Sequence, residues 1–311
     1  MLHTIATIII PVFIVIAFGY LASYFGLITT FGFETLAKFA QNFALPSLLF
    51  LNISGLDLNE VLKVNLLLSF YLSATVCFVL GILGGYYFFS KTFHESIPIG
   101  FCCLFSNSIL LGLPITELAY GNEVLKSNFV IVAFHAPFCY MLGILVMEFS
   151  LSQSNGILKT FQRTSLSMLS NALTLSVIGG FSVNTLGLRL PGYFYNSLEL
   201  ISSAGIPVAL FAMGGVLTRY KLNGYLTEAL MIAVIALVIH PLMTLILGNH
   251  VFPISDHELK SAVITAAMAP GVNAFLFSNI YKRSIEIAAS SVILCTSLSI
   301  ISSAFWISLI H

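Results

Sequence analysis

Charge is what this sequence has least of. Only 8% of its 311 residues are Asp, Glu, Lys or Arg, while 58% are apolar; a soluble domain carries roughly 25% charged and about 45–50% apolar residues. A water-soluble fold of this length cannot hide that much apolar surface. The twelve basic and twelve acidic residues cancel, so there is no basic footprint for nucleic acid. Enzyme signatures are missing as well. His94-Glu95 and His257-Glu258 are not followed by the second histidine of H-E-x-x-H, and neither a G-x-S-x-G elbow nor a phosphate-binding P-loop occurs. The five cysteines, Cys77, Cys102, Cys103, Cys139 and Cys295, all lie in apolar runs. They read as small packing residues, not as a disulfide framework or a metal site. No cofactor is expected.

The scarce charges mark loops, because a Lys, Arg or Asp at the centre of a spanning helix costs on the order of 2.5–3.5 kcal/mol. Between them lie ten charge-free runs: 1–33, 39–56, 64–90, 96–116, 127–147, 164–188, 200–218, 229–255, 261–281 and 287–311. Each is long enough to cross a hydrocarbon core, which takes roughly 20 residues. The first run lacks the basic leader and small-residue cleavage pattern of a secretory signal and reads as a retained helix. With the N-terminus outside, Lys38, Lys91, Lys159, Arg163, Arg219, Lys221, Lys282 and Arg283 fall in cytoplasmic loops. Only Lys63, Lys126, Arg189 and Lys260 fall outside. This bias predicts both termini outside. The one G-x-x-x-G, Gly81 to Gly85, predicts close helix packing.

The longest polar stretch, residues 151–163, divides the chain into residues 1–150 and 164–311, with five runs in each part. Shifting the sequence by 161 positions superposes Pro46 on Pro207, Phe50 on Phe211, Glu95 on Asp256 and Tyr120 on Tyr281. An odd number of spans per copy makes the second copy enter the membrane from the opposite side. The expected architecture is therefore all-α, ten transmembrane helices in two inverted five-helix repeats, as in many secondary transporters.

Carrier sites lie where one helix of each repeat is interrupted, exposing backbone N–H and C=O groups and the partial positive charge of a half-helix N-terminus. Two segments carry the breakers. One is Ser106-Asn107-Ser108 leading to Gly112-Leu113-Pro114 in the fourth run; the other is Ala269-Pro270-Gly271-Val272-Asn273 in the ninth. Proline removes a donor and frees the carbonyl four residues back, and an asparagine amide can fill the gap or bind a carboxylate. The candidate substrate-binding residues are Ser106, Asn107, Gly112, Pro114, Pro270, Gly271 and Asn273. Kinked helices capped by asparagine are the plainer reading of the same residues, and the two are compatible. Pro46 and Pro207 form a second matched pair, where the kink is the purpose and Asn42 is a secondary candidate. His135 beside Pro137 and His240 beside Pro241 are the histidines deepest in runs and are candidates for coupling, or simple carbonyl donors. Glu117, Glu148 and Glu199 bound their runs and read as interfacial, with Glu117 nearest the proposed break. No run holds a paired carboxylate, so coupling through such a pair is not expected.

Taken in order, Asn107 to Gly112-Leu113-Pro114, Tyr120-Gly121, Pro207 to Gly215, His240-Pro241 and Ala269-Pro270-Gly271-Val272-Asn273-Ala274-Phe275 with Tyr281 resemble the auxin efflux carrier family. That family includes the plant PIN proteins and compact bacterial permeases described as malate or malonate transporters. The resemblance implies a fold of the sodium/proton antiporter type. Helices 1, 2, 6 and 7 would form a scaffold that makes a homodimer; helices 3–5 and 8–10 would form a transport domain in which broken helices 4 and 9 cross. It places Asn107, Pro114, Pro270 and Asn273 at the crossover. Lacking the long central loop of the plant members, the chain fits the compact bacterial branch and its inner membrane. The expected partners are a small organic anion and the lipid bilayer. The expected function is carriage of small carboxylates by alternating access, with a sodium-coupled anion symporter of the bile acid carrier type, or a ligand sensor that moves nothing, as the alternatives.

Overall fold

A computed structural model describes residues 2–58, 62–151, 171–220 and 224–310, with side chains from Thr7 onward. The loop expected at 151–163, the first residues of the run 164–188 and Lys221 lie essentially outside these. Every named element is a helix, and the described residues include one isolated β-bridge, between Ser106 and Pro270. Among the described residues six helical stretches are long and apolar enough to cross a membrane: Thr7–Tyr24, Val64–Phe88, Ser108–Ser150, Gly192–Leu217, Leu226–Val251 and Ile285–Ile310. The runs 39–56, 96–116 and 261–281 are helical in shorter pieces, interrupted near Pro46, Asn107 and Pro270, and the described part of 164–188 holds one helix, Ala172–Thr185.

The chain forms two compact units. The smaller comprises Pro11–Leu62 and Arg163–Arg219, the larger Met1–Ile10, Lys63–Gln162 and Tyr220–His311.

In the smaller unit helix α1 (Leu2–Tyr24, from Pro11 on) is followed by α2 (Thr30–Phe39), a π turn (Ala40–Ala44) and α3 (Leu45–Ser54). Pro46 opens α3. It cannot donate to the carbonyl of Asn42, and the wider turn absorbs the missing bond. Then come α7 (Ala172–Thr185), α8 (Gly192–Ser202) and α9 (Gly205–Leu217). Glycines set the helix contacts. A Cβ on Gly19 would lie 1.9 Å from the Phe211 carbonyl oxygen, and one on Gly214 would lie 1.9 Å from that of Ile16, so α1 and α9 touch backbone to backbone. The Asn184 amide of α7 donates to the carbonyls of Ile53, Ser54 and Leu56, satisfying the C-terminal end of α3.

The larger unit contains α4 (Val64–Phe88), α5 (Phe93–Leu104), a π turn (Ser108–Gly112) and α6 (Leu113–Ser150). Helix α6 is two helices run together across Gly121, whose φ of 76° and ψ of −172° no helix contains. The second part has α10 (Leu226–Val234), a π turn (Ile235–Ile239), α11 (His240–Ile246) and a further π turn (Leu247–Val251). It ends with α12 (Asp256–Ala266), α13 (Val272–Tyr281) and α14 (Ile285–Ile310).

Helix α4 shows what solvent this unit is made for. Its buried stripe includes Ser69, Ser73 and Gly81, while its exposed stripe runs Val64, Leu68, Leu72, Val76, Val79, Leu83. The buried face also holds Leu66, Phe70, Ala74 and Phe78, so the helix is apolar all round with its serines turned inward, the reverse of a water-soluble surface helix and suited to hydrocarbon. The Gly81–Gly85 motif packs as expected. A Cβ on Gly81 would meet the Gly100 Cα at 2.7 Å, and one on Gly85 would meet Ser96 and Ile99 at 3.0 Å, so α4 and α5 approach closely.

Candidate functional site: two interrupted helices crossing

Helices α5 and α12 begin alike. Thr92 caps α5 in a reciprocal capping box with Glu95, and Ser255 caps α12 in the same way with Glu258. Both then stop inside an apolar run. In α12 the cause is Pro270, which lacks the N–H that would bond Ala266 and pushes Ala269 out of the helical region. In α5 no proline is at hand. There Asn107 turns its side-chain oxygen to the Leu110 N–H at 3.2 Å and starts a new turn, giving the backbone an alternative to continuing the old one.

The two extended stretches meet antiparallel. The Asn107 N–H donates to the Ala269 carbonyl at 2.8 Å, the Gly271 N–H donates to the Phe105 carbonyl at 3.3 Å, and Ser106 stands opposite Pro270. Backbone groups left over by each break are thus partly satisfied by the other, which is how irregular backbone persists inside a membrane protein. Gly112 lies in the π turn beyond Asn107, its N–H on the Asn107 carbonyl at 3.0 Å, and Pro114 sits in the first turn of α6; both are buried. The structure therefore gathers Ser106, Asn107, Gly112, Pro114, Pro270 and Gly271 around one crossing.

Asn273 occupies the first turn of α13, half-buried, with the Tyr140 hydroxyl 3.4 Å from its side-chain oxygen and 3.5 Å from its carbonyl. Gly271 precedes α13 and supplies no side-chain cap, so the helix opens with its first N–H groups unsealed by any side chain. The Ser106 hydroxyl, on a residue 3% exposed, has no hydrogen-bond partner.

His135 donates from Nε2 to the Ser106 carbonyl at 3.0 Å. A carbonyl only accepts, so this nitrogen carries the proton and the tautomer is fixed. Phe70 separates the two buried histidines, 5.7 Å from His135 and 5.3 Å from His240 between ring centroids. His135 thus holds the break itself, whereas His240 lies one ring further out. The remaining candidates are elsewhere. Glu117 is exposed, and Asn42 is exposed on the π turn of the smaller unit.

Glu148, which bounds its run, is only 7% exposed and accepts the Tyr281 hydroxyl at 3.2 Å. The last turn of α6 tucks it under the end of α13, a placement that hydropathy along one helix does not contain. Further participants lie outside the two interrupted segments and escape a search for paired breakers at matched depths. Tyr140 is one. The others surround Asn128, whose oxygen accepts from Ser261 and Thr265 and whose amide donates to Thr116, tying α12 to both parts of α6; all four residues are fully buried. Asn128 lies close behind Lys126 and so looks like loop. Polar side chains spaced i, i+4, as Ser261 and Thr265 are, were the available signal.

An inside-out helical bundle with two interrupted helices paired at their breaks defines an integral membrane protein of the transporter class. The particular family follows from comparison: the chain belongs to the membrane transport protein family, the auxin efflux carriers, whose profile matches residues 4–307. It is 22% identical over 312 residues to an uncharacterized transporter of Methanocaldococcus jannaschii, covering 96% of each chain. It is 24% identical over 286 residues to the uncharacterized transporter YfdV of Escherichia coli, covering 88% of each. A Rhizobium meliloti protein named "Putative malonate transporter" is 24% identical over 270 residues, 85% of this chain and 83% of that one.

Proposed function

We propose that this protein is a secondary carrier of small carboxylates, with the anion held where α5 and α12 break. The observation that carries this reading is the crossing itself: paired breaks leave the unsealed first turn of α13 and the unpartnered Ser106 hydroxyl in one place. A half-helix N-terminus offers N–H donors and partial positive charge to an anion. With Tyr140 at its oxygen, the Asn273 amide has its NH₂ end as the donor for a carboxylate. Asn107 is oriented by Leu110 on the facing break. These are neutral donors, able to bind an anion without trapping it as a buried Arg would, which suits a site that must also release.

The ten-helix, two-repeat architecture belongs to the same proposal. It is supported by the capping boxes of α5 and α12, which correspond at a shift of 163 and so match Glu95 to Glu258, not to Asp256, and by the way the helices after the breaks end. Tyr120 is followed by Gly121 at φ 76°, and Tyr281, 161 positions on, by Lys282 at φ 51°. The smaller unit would act as a scaffold that dimerises and the larger as the domain that moves. Malonate is the first substrate to try, on the strength of the Rhizobium relative's name.

The test is flux. The protein is reconstituted in liposomes and offered labelled malonate, malate and indole-3-acetate, with and without a sodium gradient. The Asn107→Ala/Asn273→Ala double variant is expected to lose at least 10-fold in rate at subsaturating substrate, about 1.4 kcal/mol, while remaining folded, its melting temperature lowered only as far as loss of the Asn107 cap and the Tyr140 contact requires. Undiminished flux in the folded double variant would remove the site from the crossing. A strict sodium requirement would replace the proposal with the symporter reading, and saturable binding without flux with the sensor.

A further inference from the structure

Pro241 cannot donate to the carbonyl of Leu237, four residues before it. That carbonyl, in the π turn between α10 and α11, accepts instead from two side chains of α14: Trp306 Nε1 at 2.9 Å and Ser302 Oγ at 2.9 Å. The same Ser302 hydroxyl lies 3.5 Å from a second carbonyl, that of Ala267. Ala267 caps the C-terminal end of α12, where Pro270 has ended the helix. Pro241 denies the Leu237 carbonyl its helical donor, and the Gly271 N–H that would serve the Ala267 carbonyl in a continuing helix goes to Phe105 instead, so two carbonyls face one hydroxyl with one proton.

We propose that Ser302 is a positioning residue that couples the break in α12 to the π turn of α10–α11, with Trp306 as its built-in reporter. In the structure its proton favours Leu237, the nearer acceptor. A displacement of the end of α12 by about half an ångström would equalise the two distances, since hydrogen bonds to oxygen are strong near 2.8 Å and weak beyond 3.5 Å. When the proton moves to Ala267, the Leu237 carbonyl keeps Trp306 alone. Because Ala269, two residues beyond Ala267, accepts from Asn107 across the crossing, any event that shifts the paired breaks reaches Ser302. Movement at the break is thereby converted into a change of hydrogen bonding at the π turn, on the helix that carries His240.

The inference needs the break and not the identity of any anion, so its test uses no ligand. Trp306 is the one tryptophan of the chain, and its fluorescence can be read in the full-length protein in detergent. Pro270→Ala restores an N–H at the break and lets α12 lengthen; Pro270→Gly loosens it instead. Each is expected to shift the Trp306 emission maximum when Ser302 is present. The shift should vanish in a Ser302→Ala background and return with Ser302→Thr, which keeps the hydroxyl. All variants are compared by size-exclusion profile. A shift of equal size without the hydroxyl, or no shift in either background, overturns the proposal. Neither outcome bears on whether the crossing binds carboxylates.

Discussion

At the scale of single residues, a hydrogen atom decides whether α1 and α9 can meet. With Cβ positions at Gly19 and Gly214 each falling 1.9 Å from a facing carbonyl oxygen, neither helix can take even alanine without parting from the other. Overpacking of this kind costs roughly 1–3 kcal/mol. Gly19→Ala and Gly214→Ala are each expected to lower the melting temperature in detergent. Gly179→Ala is the control, since its Cβ would lie 3.4 Å from the Phe50 ring, an ordinary contact, and alanine favours the helix by up to about 1 kcal/mol. Equal melting temperatures for Gly179→Ala and Gly214→Ala would mean that the α1–α9 contact is looser than drawn. The glycines are visible in the sequence, but their purpose is not. Nothing in the local sequence of Gly214 distinguishes it from Gly179; only the element standing opposite does.

At the scale of elements, what was legible is what a residue does to its own helix. Pro270 announces the end of α12 and Pro46 and Pro241 announce π turns, because a missing N–H acts within four residues along the chain. Asn107 was readable as an amide at mid-run, and its capping role follows from the same local chemistry. What was not legible is pairing across space. Tyr140 against Asn273, Asn128 against Ser261 and Glu148 beneath Tyr281 join residues 133 positions apart in each case, and that uniform separation is a property of α6 lying against α12 and α13. The capping boxes are local and make a testable element. The Glu95 carboxyl is held below the ordinary carboxylate range, first by the Thr92 hydroxyl and then by the Thr92 N–H. A lowered folded-state value means stabilisation that is complete above the ordinary glutamate pKa, about 4.3, and is lost as pH falls through the folded value. Thr92→Ala should therefore destabilise at pH 7, by the low end of the roughly 0.5–2 kcal/mol range of a cap because the pair is exposed. The gap in melting temperature to the parent should narrow as pH falls through the folded carboxyl's range, leaving only the bond from the Glu95 N–H to the Thr92 hydroxyl. A gap that does not narrow on acidification would assign the cap's contribution to that neutral bond alone.

At the scale of the whole molecule, the charges that loop assignment sorted into two sides also pair within those sides. Lys91 with Glu228 at 3.6 Å and Arg219 with Glu34 at 2.5 Å join residues assigned to the cytoplasmic face. Glu123 with Lys126 and Asp256 with Lys260, both at 2.7 Å, join residues assigned to the outer face. The Ser284 hydroxyl donates to the Glu95 carbonyl, and Asn65 donates to the Pro253 carbonyl, again within one assigned side in each case. The exposed pairs, Arg219–Glu34 and Glu123–Lys126, contribute little to stability. The long-range contacts, Lys91–Glu228, Arg219–Glu34, Ser284–Glu95 and Asn65–Pro253, bear on topology, because a span count between the partners wrong by one would put them on opposite faces of a bilayer roughly 30 Å thick; the pairs three and four residues apart do not. The absolute orientation rests on a different force, the excess of Lys and Arg in cytoplasmic loops. Both termini outside is therefore a prediction separable from the span count, and fusions decide it. Alkaline phosphatase joined after Ile310 should be active in bacterial cells, and a green fluorescent protein at the same place dark. Placed after Tyr220, in the loop that holds Arg219, the two reporters should exchange results. If both sites invert, the charge bias has been misread and the helix count stands. If both sites report the same side, the ten-span reading fails, and the inverted repeat with it.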